Sequence, residues 1–212
     1  MLVSHSHKFI FIKTKKTAGS SIQDYLAKYC KDGIVEKYIP GGHRPAQSTK
    51  EKVGDEIWNS YLKICPVRNP WDKMVSWYFW RSRKRSIFVK LKRILQGRHP
   101  ENEAYRMNFK EFITWLHETN RMNLDHKVAL VDGEWPDYFF IRYEHLHEDL
   151  KRLCEKLYIP YDESKLPKEK TGVRKKKGYQ EFYDEHTRGY VAEAYSDLIE
   201  MFGYHFEPSS QD

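Results

Sequence analysis

The sequence predicts an α/β protein: a three-layer α/β/α sandwich around a central parallel sheet, with helical insertions. Three observations carry that expectation. Apolar runs of strand length occur at residues 8–13, 61–67 and 138–143, as in strands covered on both faces. Each run leads into a segment with apolar residues at helical spacing, and strands alternating with helices imply parallel pairing. Two of the strand-to-helix turns also carry the residue types that hold an anion at a helix start.

Taken in order, the helix after the first strand carries Ile22, Tyr25, Leu26 and Tyr29 on one face. A short apolar stretch over residues 34–39 ends at Pro40-Gly41-Gly42-His43, a turn by composition. After the second strand, Asn69 is a good N-cap and Pro70 occupies the first helical position, where its missing N–H costs nothing. Trp71, Met74, Val75 and Tyr78 give that helix its buried face. Residues 81–98 hold eight Lys or Arg and no acid, interleaved with Ile87, Phe88, Leu91, Ile94 and Leu95, which predicts a basic amphipathic helix in an insertion at about 81–106. Asn108 with Glu111 reads as a capping box. The third strand leads to a helix with Leu146, Leu150, Leu153 and Leu157. A basic loop follows at about 165–178, and a last helix over 185–202 stops at Gly203. The chain, residues 1–212, reads as a single domain.

Composition narrows the function. Fifteen tyrosines, six tryptophans and 15% aromatic residues set the chain apart from disordered polar sequences. A formal charge of +7 favours anionic partners. The cysteines Cys30, Cys65 and Cys154 are scattered with no CxxC spacing, the pattern of reduced, buried thiols in a cytosolic protein. No apolar run is long enough to cross a membrane, so a cytoplasmic location is expected. His5/His7 and His145/His147 lack a third ligand, and no metal site is expected.

The first turn is Lys15-Lys16-Thr17-Ala18-Gly19-Ser20-Ser21. Small residues let the backbone close on an anion, the helix dipole favours negative charge there, and Lys16 adds a cation. The second is Arg68-Asn69-Pro70-Trp71-Asp72, with Ser76 two turns into the helix. Arg68 can fork onto a phosphate as Lys cannot. Two such turns in one chain point to a ligand with two separate phosphate groups.

The first turn is not a Walker A loop, because Gly19 follows the lysine instead of preceding it. Lys16-Thr17-Ala18-Gly19-Ser20-Ser21 resembles the 5′-phosphosulfate loop of the sulfotransferases, in the Lys-Thr-Ala-Gly-Thr-Ser form of their carbohydrate branch. Lys15 stands where that family has proline, which leaves Lys13, Lys15 and Lys16 as cations for the sulfonate, with the register favouring Lys16. Arg68 through Ser76 is similar to the family's 3′-phosphate motif. Phe140-Ile141-Arg142-Tyr143-Glu144-His145-Leu146 resembles its strand-to-helix segment, and Arg174-Lys175-Lys176-Lys177-Gly178 its basic loop over the 3′ phosphate.

What the resemblance implies is a P-loop-like fold and an O-sulfotransferase dependent on 3′-phosphoadenosine-5′-phosphosulfate (PAPS; product PAP), needing no metal. The acceptor expected is a carbohydrate or anionic polysaccharide. Lys15, Lys16, Thr17, Ala18, Gly19, Ser20, Ser21, Arg68, Ser76, Arg174 and Lys175 would bind the cofactor. Lys16 and His43 would be catalytic, and His43, Arg44 and His126 would line the acceptor site. Sulfonyl transfer to an alcohol needs a proton acceptor near neutral pH, which histidine suits. His43 follows the second strand-like stretch, at the end where α/β sheets bind ligands; the resemblance implies a catalytic His in a comparable position after the first βα unit, and His126 is the reserve. Two rival readings exist. A P-loop-type kinase would use Val128-Ala129-Leu130-Val131-Asp132 as a Walker B strand. A nucleic-acid binder would use residues 81–98 and 174–177, but no RNP, zinc-finger or helix-turn-helix pattern accompanies them, so nucleic acid is not an expected partner.

Overall fold

Strands β1 (Leu2–Ser4), β2 (Phe9–Phe11), β3 (Ile34–Val35), β4 (Leu62–Val67) and β5 (Tyr138–Arg142) form one sheet in the order β3-β1-β2-β4-β5. The computed structural model describes residues 1–30, 34–35, 43–82, 107–166 and 178–206. They divide into two compact units, Met1–Arg68 with Asn123–Thr171 and Asn69–Met122 with Gly172–Asp212.

The first unit holds the sheet. Its centre is parallel as expected, β2 with β4 and β4 with β5, but β1 pairs antiparallel with both β2 and β3, so the sheet is mixed. The extra strand comes from a hairpin, with Leu2 opposite Phe11 and Ser4 opposite Phe9. Only three residues long, β1 is too short to announce itself by periodicity. Alternate residues serve opposite faces. Leu2, Phe9 and Phe11 pack with Ile22, Tyr25 and Leu26 of α1 (Gly19–Ala27) and with Leu150, Leu153 and Cys154 of α7 (Leu146–Lys156). Val3, Ile10 and Ile12 pack on the other face with Ala46 of α2 (Ala46–Val53), Trp58 of α3 (Asp55–Ser60), and Val128 and Ala129 of α6 (His126–Ala129). Helices on both faces of a parallel-centred sheet make the three-layer α/β/α fold.

The second unit is helical: α4 (Pro70–Ser82), α5 (Phe109–Glu118), α8 (Glu185–Ala194) and α9 (Ser196–Phe202). Its packing is aromatic, with Trp77 edge-on to Phe112, and Phe109 edge-on to both Tyr78 and Tyr183. The predicted caps are present. Asn69 Oδ1 accepts from the amides of Trp71 and Asp72, and Asn108 and Glu111 form a reciprocal box.

Two expectations need correcting. The last helix is two helices: Tyr195 leaves helical geometry at φ −128°, with its ring fully buried and its hydroxyl donating to Met122 O at 2.8 Å. Gly203 does end the second, at φ 60°. Residues 128–132 are not a Walker B strand. His126–Ala129 is a single helical turn, and Asp132 (φ 52°) and Gly133 (φ 86°) turn the chain so that Val131 bridges Glu134. Most of the basic insertion (residues 83–106) and of the basic loop (residues 167–177) lies outside the described residues.

Candidate active site

The site grows from the carboxyl ends of three parallel strands, where open α/β sheets place their ligands. β2 runs into the first turn, β4 into Arg68 and β5 into Tyr143. Val67 is opposite Arg142, so the next residues, Arg68 and Tyr143, leave the sheet side by side. The Arg68 guanidinium lies over the Tyr143 ring, 3.8 Å from its centroid, and Nη1 donates to Lys16 O at 2.9 Å. Register alone thus brings the second turn's cation onto the first turn's backbone.

In the first turn, Lys16 (φ 63°) and Ala18 (φ 56°) both adopt the left-handed conformation, which costs a non-glycine residue about 1–2 kcal/mol each. Ala18 is the N-cap of α1 and has no side-chain acceptor to offer. The first-turn amides of a helix find no acceptor within it. Left-handed residues around a helix start turn amides toward a common point, the backbone geometry of an anion nest. Local strain of this kind is held by fasteners from the neighbouring strand. Thr14 donates to Pro66 O of β4, and Thr17 Oγ1 donates to Thr14 O at 3.2 Å. Thr17 is fully buried, so its hydroxyl is engaged in holding the loop rather than offered to a ligand; only its amide remains for that role. Ser20 is half-buried and Ser21 buried at the helix start.

Gly19 is required by a close approach. A Cβ there would sit 2.7 Å from Cγ and 3.4 Å from Cδ of Lys13, so the Lys13 stem lies across the helix start. Lys13 also reaches the candidate base. His43 Nδ1 is 2.7 Å from Lys13 O, and because a carbonyl oxygen only accepts, Nδ1 carries the proton. In the neutral ring that leaves the lone pair on Nε2. The structure therefore brings together Lys13, Lys16, Thr17, Ala18, Gly19, His43 and Arg68. Arg44 donates to Ser48 Oγ at 3.1 Å, beside α2. His126 packs edge-on to Trp135, 5.5 Å between centroids, on the β-sheet face lined by α2 and α6.

Behind Tyr143, Arg142 forks onto Asp149 of α7: Nε to Oδ2 at 2.8 Å and Nη2 to Oδ1 at 2.7 Å, with the Arg142 amide also donating to Oδ2 at 2.9 Å. Burial by itself raises the Asp149 carboxyl, but the Arg142 hydrogen bonds and charge, with Arg152, together hold it below its ordinary value.

In the second unit, Ser76 is half-buried on α4. That helix is anchored at its start: Trp71 Nε1 donates to Arg188 O at 3.1 Å, Asn69 Nδ2 to His205 O at 3.1 Å, and Tyr183 Oη to Trp71 O at 2.9 Å. Lys73, fully buried, has its ammonium 5.7 Å from the Tyr195 ring centroid. Arg174 and Lys175 lie outside the described residues. Among the described residues no group of three or more His, Cys, Asp or Glu is arranged to hold a metal, and no helix is long and apolar enough to cross a membrane. All three cysteines are buried and none is in a disulfide, and burial raises the Cys154 thiol to about 11.

Sequence reasoning gave no role to Lys13's carbonyl, Thr14 or Tyr143. Tyr143 had a usable signal, since it immediately follows the third parallel strand. A carbonyl contact such as Lys13 with His43 has none.

A family model described as the sulfotransferase family matches residues 1–205. The chain belongs to the sulfotransferase family. An uncharacterized protein of Archaeoglobus fulgidus is 25% identical to this sulfotransferase over 123 residues, 55% of this chain and 83% of that protein. Among solved structures, mouse sulfotransferase SULT7A1 complexed with PAP aligns over 95% of this chain and 87% of its own, at 14% identity and a TM-score of 0.42. The family match covers both turns and His43.

Proposed function

We propose that this sulfotransferase moves the sulfonate of PAPS to a hydroxyl of a carbohydrate acceptor. The observation that carries the proposal is the first turn: two left-handed residues at the start of α1, tied through Lys16 O to Arg68. A backbone strained in this way, with a cation on each side, suits a phosphate that bears a second charged group. Bound there, PAPS supplies a sulfonate activated by its 5′ phosphate.

The chain's residues then divide the work. The amides of Thr17 to Ser21 hold the 5′ phosphate. Arg68 takes the 3′ phosphate, a role that the motif resemblance also gives to Ser76, Arg174 and Lys175. Lys15 flanks the loop at the cofactor side. His43 Nε2 accepts the acceptor's hydroxyl proton as the new S–O bond forms, its Nδ1–H held by Lys13 O. Lys16 neutralises the charge that collects on the phosphate oxygen as the old S–O bond breaks. Arg44 and His126 belong to the acceptor side. Lysines and a helix start provide the positive charge, so no metal is assigned. We place the activity in the cytoplasm, on three buried cysteines that form no disulfide, and treat residues 1–212 as one sulfotransferase-like domain.

Equilibrium binding tests the cofactor assignment. PAP should bind in the absence of magnesium and more tightly than ATP with magnesium or an oligonucleotide. Preference for magnesium ATP would remove the assignment. Transfer of labelled sulfonate across polysaccharide, glycolipid and small-alcohol acceptors then tests the carbohydrate. Turnover confined to the small alcohols would refute that part.

A further inference from the structure

We infer that Arg68 is a positioning residue for the 5′-phosphate turn in addition to its role at the 3′ phosphate, and that Tyr143 holds it in place. The inference rests on the cofactor proposed above, but on different atoms. Arg68 is 8% exposed, and its planar group is held at two points within one unit. Its face lies 3.8 Å from the Tyr143 centroid, and Nη1 donates to Lys16 O at 2.9 Å.

Lys16 is one of the two left-handed residues of the nest, and its carbonyl direction is tied to its φ of 63°. A charged donor on that carbonyl favours the left-handed conformation over the right-handed one, which would turn the oxygen elsewhere. The next peptide, whose N–H belongs to Thr17, shares a plane with that carbonyl. Fixing Lys16 O therefore also fixes the direction of the Thr17 amide, which the proposed function aims at the 5′ phosphate. A guanidinium carries five N–H donors in a fixed planar fork, so one arginine side chain can serve acceptors on more than one edge. Lysine has neither the flat face for Tyr143 nor the fork. The two phosphate subsites are thus coupled through one side chain, with Tyr143 restricting that side chain before any ligand arrives. The Arg142–Asp149 fork holds the strand end from which Tyr143 leaves.

Adenosine, AMP and PAP separate the contributions in isothermal titration. The ratio of AMP to adenosine affinity reads the 5′ phosphate, and the ratio of PAP to AMP reads the 3′ phosphate. Coupling predicts that Arg68→Ala lowers both ratios, the AMP-to-adenosine ratio by roughly tenfold, in line with losing one charge-assisted contact. Arg68→Lys should keep part of the PAP-to-AMP ratio, through its charge, and lose the AMP-to-adenosine ratio as Arg68→Ala does. Tyr143→Ala should lower the AMP-to-adenosine ratio, and Tyr143→Phe, which keeps the ring face, should preserve it. The Tyr143 pair also serves if Arg68→Ala does not fold. An unchanged AMP-to-adenosine ratio in Arg68→Ala or Tyr143→Ala overturns the inference. If only the PAP-to-AMP ratio falls, the proposed 3′ role stands and the coupling fails. If only the AMP-to-adenosine ratio falls, Arg68 positions the 5′ turn, but its 3′ role fails and the coupling of the two subsites fails with it.

Discussion

Asp149→Asn is the substitution whose cost can best be worked from the structure. The carboxylate accepts three hydrogen bonds from Arg142 and has Arg152 Nη1 at 3.6 Å, and its side chain is 2% exposed. Asparagine keeps the shape, removes the charge and turns an NH2 toward a donor that was paired. Losing a buried charge-assisted pair costs about 3–5 kcal/mol. Arg142 keeps 32% of its side chain exposed, and water can recover part of its solvation, so about 2–3 kcal/mol is expected at neutral pH. Urea unfolding with an unchanged slope would read this as a lower midpoint. The sign with pH is fixed by linkage. The Asp149 carboxyl is depressed in the folded state, so its contribution is complete above the unfolded carboxylate value and is lost as pH falls through the folded one. The gap between wild type and Asp149→Asn should therefore narrow below about pH 4, the ordinary aspartate range. Equal stability at neutral pH, or a gap that stays constant down to the acid limit, would refute the account of the fork as a charged clamp.

Three further outcomes follow from the active site. His43→Asn should abolish the limb of the kcat/KM profile that rises with pH while leaving PAP affinity unchanged; a retained limb would assign the base elsewhere. Lys16→Ala should reduce kcat by about 100-fold or more, the scale of removing one electrostatic stabiliser, and Lys15→Ala much less, with both proteins folded by circular dichroism; the reverse order would shift the register of the loop by one residue. Gly19→Ala gains about 1 kcal/mol in helix propensity but places a methyl against Lys13 Cγ, so a net loss of about 1–2 kcal/mol and a lower kcat are expected. An increase in thermal midpoint with full activity would show that Lys13 moves aside freely.

Much of the frame was legible because it rests on local chemistry. Asn69-Pro70 announces the start of α4, Asn108 with Glu111 that of α5, and Gly203 the end of α9, each through a capping preference that short sequence windows contain. The parallel strands were legible from buried runs. What escaped was set by long-range pairing or by backbone conformation. β1 has three residues and exists through its partners, and the break at Tyr195 depends on where one large ring is buried. In the site, the residue types of both turns were readable. The contact of Arg68 with Lys16 was not, because residues 52 apart in sequence meet only through the β2–β4–β5 register.

The least legible feature is also the one that explains the loop's composition. A left-handed residue is cheapest as glycine, yet position 16 is lysine and position 18 alanine, while the glycine stands at 19. Glycine at 16 would remove the strain and the cation together. Glycine is needed at 19 instead because the Lys13 stem crosses there. The strain left at Lys16 and Ala18 has to be balanced by contacts from outside the turn. The Thr14 hydroxyl on Pro66 O, the Thr17 hydroxyl on Thr14 O and the Arg68 guanidinium on Lys16 O provide them, all within the unit that holds the sheet. Those fasteners join the turn to β4 and its end, so the nest keeps its shape only while β2 and β4 stay paired. Weakening any one should loosen the turn at a lower free energy than global unfolding requires, and amide exchange at residues 16–21 should rise before that of the strands.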